Sequence, residues 1–168
     1  MKKNNIVLIG MPASGKSTVG VILAKMLGKG FIDTDLVIQH RENALLCDII
    51  ESRGIDGFMD CEKEAVLSVG VENAVIATGG SVVYSDEAMK HLSEKGSIIY
   101  LEVPKNELFK RLRNVKERGV VLRKGETLDD MYESRRILYE KYADMIVCEG
   151  SSDIEGTIEN ILKQLKTC

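Results

Sequence analysis

Apolar positions along the chain follow two rhythms. Short, nearly unbroken runs, namely Ile6-Val7-Leu8-Ile9, Ala74-Val75-Ile76-Ala77, Ser97-Ile98-Ile99-Tyr100-Leu101 and Met145-Ile146-Val147-Cys148, predict strands buried on both faces, and Gly30-Phe31-Ile32-Asp33 predicts a shorter one. Between them the period is helical. Val19, Ile22, Leu23, Met26 and Leu27 share one face and Gly28 ends the pattern as a C-terminal cap. Further helical patterns cover 36–52 and 55–69, separated at Arg53-Gly54, then 86–94, and 104–113 behind Pro104. Thr127-Leu128-Asp129-Asp130 has the form of a capped helix start leading toward Tyr142. Ser152-Asp153-Ile154-Glu155 has capping-box form and opens a last amphipathic helix with Ile158, Ile161 and Leu165 on one face.

Strands that alternate with helices and are apolar throughout predict an α/β fold: a five-stranded parallel sheet covered by helices on both faces, three layers in all. At 168 residues the chain suits a single domain, 1–168. In such a sheet ligands collect beyond the carboxyl ends of the strands, so 10–17, 33–35, 78–81 and the segment after Leu101 are expected to converge on one cleft.

A net charge of −3 provides no basic field for nucleic acid or an acidic membrane, which favours a small-molecule substrate. The basic start at Lys2-Lys3 is followed by only four apolar residues before a glycine, too few for a signal peptide, and no run approaches the roughly 18 apolar residues of a membrane span. The four cysteines, Cys47, Cys61, Cys148 and Cys168, show no Cys-x-x-Cys spacing, and His40 and His91 are the only histidines available to a metal site. A cytoplasmic protein with reduced thiols and no obligate protein partner is expected.

The first strand runs directly into Gly10-Met11-Pro12-Ala13-Ser14-Gly15-Lys16-Ser17-Thr18, a complete Gly-x-x-x-x-Gly-Lys-Ser loop followed by a helix. Successive backbone N–H groups in such a loop wrap a polyphosphate, and the following helix points its positive end at the same anion. Gly10, Ala13, Ser14, Gly15, Lys16, Ser17 and Thr18 are therefore the expected nucleotide contacts, with Lys16 on the β- and γ-phosphates and Ser17 on Mg²⁺. Asp33-Thr34-Asp35 ends the second strand beside this loop, where a carboxylate can orient the metal or take the proton of an acceptor hydroxyl. Asp35 taken alone also suits a turn or a helix N-cap. The glycine-punctuated basic stretch 114–125, with Lys116, Arg118, Arg123 and Lys124, reads as a mobile lid (about 114–126) over a triphosphate site.

The ordered set Gly-x-x-x-x-Gly-Lys-Ser, Asp33-Thr34-Asp35, Gly79-Gly80, a lid arginine, and Arg135 followed by Leu138-Tyr139 resembles the motifs of the shikimate kinases over essentially the whole chain. The resemblance implies a P-loop fold of the nucleoside-monophosphate-kinase-like group, Mg-ATP as phosphoryl donor and shikimate as the leading acceptor. It also implies roles: Ser17 and Asp33 at Mg²⁺, Asp35 on the acceptor hydroxyls and as base, and Gly79-Gly80 as the acceptor wall. Arg118 matches the arginine that closes over the transferred phosphate, Arg111 the one that packs on adenine, and Arg135 one that holds the acceptor carboxylate. The family pattern Phe-Arg-x-x-Glu is here Phe58-Met59-Asp60-Cys61-Glu62, so Met59 stands where a carboxylate clamp is expected. Arg135, Arg136 and Arg53 are the candidate substitutes. The family's third glycine is Ser81, and the lid's Arg-Pro is Arg118-Gly119. Asp60 beside Met59 either faces solvent or suits an acceptor that carries an amine. A kinase of another hydroxylated acid or amino acid, gluconate included, and a nucleotide-binding regulatory module remain the alternatives.

Overall fold

The computed structural model describes residues 4–112, 120–148 and 154–166. Five parallel strands, β1 (Asn5–Ile9), β2 (Gly30–Asp33), β3 (Ala74–Ala77), β4 (Gly96–Glu102) and β5 (Met145–Cys148), lie in the order β2-β3-β1-β4-β5. Register puts Asp33 opposite Ala77, and Ile9 opposite Tyr100, so the loops leaving β1, β2 and β3 emerge along one edge.

Alternation along β1 divides the core between two faces, as pleating requires. Val7 and Ile9 join Ile76, Ile98 and Tyr100 against helices α3 (Leu46–Leu67), α4 (Asp86–Lys95), α5 (Lys105–Arg111) and α6 (Leu128–Tyr142), through side chains such as Val66, Met89, Leu92, Leu108 and Met131. Ile6 and Leu8 join Val75, Ile99 and Val147 against α1 (Lys16–Leu27) and α7 (Ile154–Leu165), through Val19, Leu23, Ile158 and Ile161. A third cluster, Ile38, Ile49, Phe58, Cys61, Ala65 and Val121, holds α2 (Thr34–Glu42) on α3 and forms one wall beside the strand ends.

The expected helix over 36–52 is two helices. α2 stops at Asn43, whose left-handed backbone (φ 50) caps it, and α3 starts at Leu46. Asparagine tolerates that conformation, and the apolar period runs on across it, which hid the break. Gly54 (φ 71, ψ −178) leaves the helical backbone inside α3, which is two helices meeting at a kink where the separation at Arg53-Gly54 is expected. A 3-10 turn at Val82–Tyr84 was not anticipated. Thr127 and Asp130 form the expected capping box, and Gly28 caps α1 in the left-handed region. The cap at Ser152, and Lys116 and Arg118 of the expected lid, lie outside the described residues. Residues 120–126 form no helix or strand. Among the described residues no helix is long and apolar enough to cross a membrane.

Candidate active site

A cleft of about 370 Å³ opens at the carboxyl edge of the sheet, lined by the 12–18 loop, Asp35, Leu46, Phe58, Glu62, Thr78-Gly79-Gly80-Ser81, Val121 and Arg135. Its floor is the loop after β1. Gly10 (φ 150), Ala13 (φ 63) and Gly15 (φ 84) take positive φ, and a Cβ on Gly10 would stand 2.7 Å from the Leu101 carbonyl oxygen, so only glycine lets the chain pass there. The first intrahelical bond of α1 runs from Val19 N–H to Gly15 O at 2.8 Å, leaving the N–H groups of Lys16, Ser17 and Thr18 ahead of it. That helix start has neither a side-chain cap nor an acidic residue, the electrostatic setting an anion requires.

Lys16 is buried, and its Nζ donates to Gly10 O at 2.9 Å and Met11 O at 2.7 Å, with Ser14 Oγ at 3.4 Å. Burial lowers its pKa to about 8 against the opposing charges of Asp35, Asp33 and Glu62. A desolvated ammonium set beside uncapped N–H groups fits a polyphosphate. Ser17 and Thr18 are exposed on the same lip. Arg111 reaches the far side of the loop, donating from NH1 to Ala13 O at 3.5 Å and pairing with Glu107 at 3.5 Å.

The two aspartates at the end of β2 have different surroundings. Asp33, at the end of β2, is the N-cap of α2: its Oδ1 accepts from Asp35 N–H at 3.0 Å. The cap that Asp35 might have supplied therefore belongs to Asp33, and Asp35 is left to face the cleft. Burial, reinforced by the charge of Asp33 and opposed by Lys16, raises the Asp35 pKa to about 6. Ser17 lines the cleft and the charge of Asp33 acts on Lys16; these are the two side chains expected at a divalent cation. No group of three acidic, histidine or cysteine ligands occurs among the described residues, so a metal there needs oxygens from the bound phosphates and water.

The acceptor wall depends on two glycines. A Cβ on Gly79 would stand 1.9 Å from Glu62 Oε1 and 3.1 Å from Asp35 Oδ1, and one on Gly80 would stand 2.8 Å from Pro12 Cδ and 3.1 Å from Arg135 NH1. Gly79 N–H donates to Thr34 Oγ1 at 3.2 Å, and the Tyr139 hydroxyl donates to Gly80 O at 2.6 Å while its ring stacks on Tyr100 at 5.0 Å. Arg135 is 1% exposed, donates from NH2 to Val121 O at 2.7 Å and lies over Tyr84 at 5.4 Å; its Nε has no partner among the described residues.

Of the arginines offered as substitutes at the clamp, only Arg135 reaches the cleft. Arg53 pairs with Glu42 and Cys61 behind α3, and Arg136 pairs with Glu133 and Glu140 on the outer face of α6. Met59 does not line the main cleft. It borders an adjoining depression of about 220 Å³ that shares Glu62 and Ser81 with it. Asp60 is exposed and pairs with Lys63 at 3.2 Å, one turn along the helix, which gives it the solvent-facing role.

Glu62 and Ser81, to which the motif pattern assigns no role, are both buried in the site. Ser81 Oγ donates to Glu62 Oε2 at 2.6 Å, whereas Glu62 Oε1 has no partner among the described residues. Burial raises the Glu62 pKa to about 7, with Asp35 adding to it and Ser81 and Arg135 opposing it. Position 62 carried one usable signal, its helical register with Phe58, Ala65 and Val66 on the inward face of α3.

The shikimate kinase family model matches residues 12–166. A shikimate kinase from Thermodesulfovibrio yellowstonii is 37% identical over 163 residues, covering 95% of this chain and 94% of that protein. Among solved structures, shikimate kinase from Acinetobacter baumannii in complex with shikimate superposes with a TM-score of 0.89 at 27% identity, over 99% of this chain and 94% of that one. Shikimate kinase from Aquifex aeolicus gives 0.83 at 34% identity, over 96% of each chain.

Proposed function

The chain belongs to the shikimate kinase family of ATP-dependent kinases, and from that premise we propose that it transfers the γ-phosphoryl group of ATP to a hydroxyl of shikimate through the cleft described above. The observation that carries this reading is the position of Asp35. It is a half-buried carboxylate with a pKa raised to about 6, on the same cleft as Lys16 and Arg135 and against Gly79, so it is ionised at neutral pH and basic enough to take a hydroxyl proton.

The loop N–H groups of 16–18 and the Lys16 ammonium hold the polyphosphate, and Lys16 stabilises charge on the migrating group. Arg111, on the other side of Ala13, borders the base end of the nucleotide. Ser17 and Asp33 would hold Mg²⁺, which when bound would neutralise phosphate charge. Arg135, which lines the cleft, pairs with the acceptor carboxylate, and Gly79-Gly80, fixed by Thr34 and Tyr139, shape the wall on which the acceptor lies. Asp35 orients the reacting hydroxyl toward the phosphate and accepts its proton. Arg118, beyond the described residues, is assigned the closing of the site over the transferred group. The apolar patch of Leu46, Phe58 and Val121 sheds water from the cleft and sharpens these charge interactions.

ADP release from Mg-ATP, measured with and without shikimate, tests the reading. Acceptor-dependent release is expected. Release that shikimate fails to stimulate, across a panel of hydroxylated acids as well, would leave a nucleotide-binding module instead.

A further inference from the structure

Two guanidiniums from different parts of the chain share one aromatic ring beside the site. Arg135 Cζ lies 5.4 Å from the centroid of the Tyr84 ring, and Arg123 Cζ lies 5.1 Å from the same centroid. Tyr84 stands on the 3-10 turn that continues the glycine wall, with its hydroxyl 3.0 Å from Ser134 Oγ. Ser134 Oγ donates its own proton to Met131 O at 3.2 Å, so the Tyr84 hydroxyl is the donor between them. That bond fixes the ring against α6, the helix that carries Arg135.

Each arginine reaches the ring from a fixed base. Arg123 opens a tight turn closed in both directions: its N–H donates to Glu126 Oε2 at 2.8 Å, and Glu126 N–H donates to Arg123 O at 2.9 Å, with Gly125 at φ 84. Two residues before Arg123, the Val121 carbonyl accepts from Arg135 NH2 at 2.7 Å. Arg135, Val121, Arg123 and Tyr84 thus form a closed circuit of contacts around the cleft arginine. A buried guanidinium carries five donors, and with Nε unpartnered among the described residues the orientation of Arg135 depends on the Val121 carbonyl and on the ring. Two like charges stay on one ring because its negative face attracts both. Tyr84 lies outside the lining of the cleft and borders the adjoining depression with Met59, so it acts through Arg135 rather than on a ligand.

Resting on the phosphotransfer reading above, we propose that Tyr84 is a positioning residue for the acceptor carboxylate, its ring holding the Arg135 guanidinium toward the cleft, and that Arg123 braces the same ring.

Steady-state kinetics of the full chain with shikimate, and with its carboxamide, in which the carboxylate is replaced by a neutral group, test this. Tyr84→Leu removes the ring face, and KM for shikimate should rise about tenfold with kcat and the KM for ATP little changed, since a contact made equally in the ground and transition states acts on KM. The carboxamide, with no charge for Arg135 to meet, should lose less than about twofold. Tyr84→Phe keeps the ring and should stay within about twofold of the wild type. Arg123→Ala, on an exposed turn, should raise the shikimate KM about threefold, and no further in the Tyr84→Leu background, because its effect passes through the ring. An unchanged shikimate KM in Tyr84→Leu overturns the proposal, and so does an equal loss with the carboxamide, which would mark a general disturbance of the wall. Should Tyr84→Leu fail to fold, Arg123→Ala decides by the same comparison of shikimate with its carboxamide. Absence of wild-type turnover with shikimate removes the kinase reading instead, and calorimetric binding of shikimate to the wild type and to Tyr84→Leu still decides the role of the ring.

Discussion

Alanine at position 79 is the sharpest perturbation of the acceptor wall. Gly79 does not take a positive φ, so the backbone accepts an L-residue and the whole effect is steric. The new Cβ would stand 1.9 Å from Glu62 Oε1 and 3.0 Å from Glu62 Cδ, and the carboxylate has to leave. Its departure breaks the buried bond from Ser81, a charge-assisted interaction worth about 1.5–3 kcal/mol. Asp35 Oδ1, at 3.1 Å, must also yield, and crowding of this kind costs about 1–3 kcal/mol. Rehydration of the displaced Glu62 returns part of this, leaving a net loss of about 2–4 kcal/mol. For a chain of this length that lowers Tm by roughly 5–15 °C, readable by circular dichroism. The same substitution in a Glu62→Ala background removes the Glu62 atoms and leaves only the 3.1 Å contact with Asp35 Oδ1, so the loss should shrink by about 1.5–3 kcal/mol, a strong coupling between contacting sites. Equal losses in the two backgrounds would refute the steric account and with it the placement of Glu62 against Gly79.

Lys16→Ala is expected to abolish phosphoryl transfer with the far-ultraviolet circular dichroism unchanged, since the Nζ bonds only to the loop around it; near-normal turnover would contradict the assignment. Activity limited by Asp35 as base should rise with pH through about 6 and level off above, and a kcat/KM profile flat across that range would demote Asp35 to a structural role. Stability runs the other way. Asp35 and Glu62 bind protons more tightly folded than unfolded, so the native state holds the extra protons between about pH 4 and 7 and stability falls as pH rises through that window, on the order of 3 kcal/mol for one such carboxyl; urea midpoints should show the decline, flattened in Glu62→Gln. Met59→Arg sets a guanidinium beside Glu62 and Ser81, and should improve kcat/KM for shikimate by roughly tenfold; no gain would mean that Arg135 alone suffices for the carboxylate.

The amino-acid sequence alone determined the layers of this protein and its phosphate chemistry, because both are written in local terms. Unbroken apolar runs predicted β3 and β5 to the residue; β3 is covered on both faces as expected, whereas β5, at the sheet edge, buries only Val147. The phosphate loop was legible because glycine spacing, lysine and serine act within a few residues of one another. Tertiary structure decided what depends on neighbours distant in sequence. Asp33 and Asp35 look alike in the chain, but the turn into α2 makes one a cap and the other a cleft residue. Arg53, Arg135 and Arg136 are equally basic, and only the packing of α6 against the 120–126 segment and the glycine wall buries Arg135 in the site. Glu62 sits among the charged Lys63 and Glu64 in sequence, and its burial follows from facing Gly79 and Ser81, brought to it by the end of β3. Charge in a sequence reports what a side chain can do, while desolvation and the partner across the cleft, both products of the fold, set what it does.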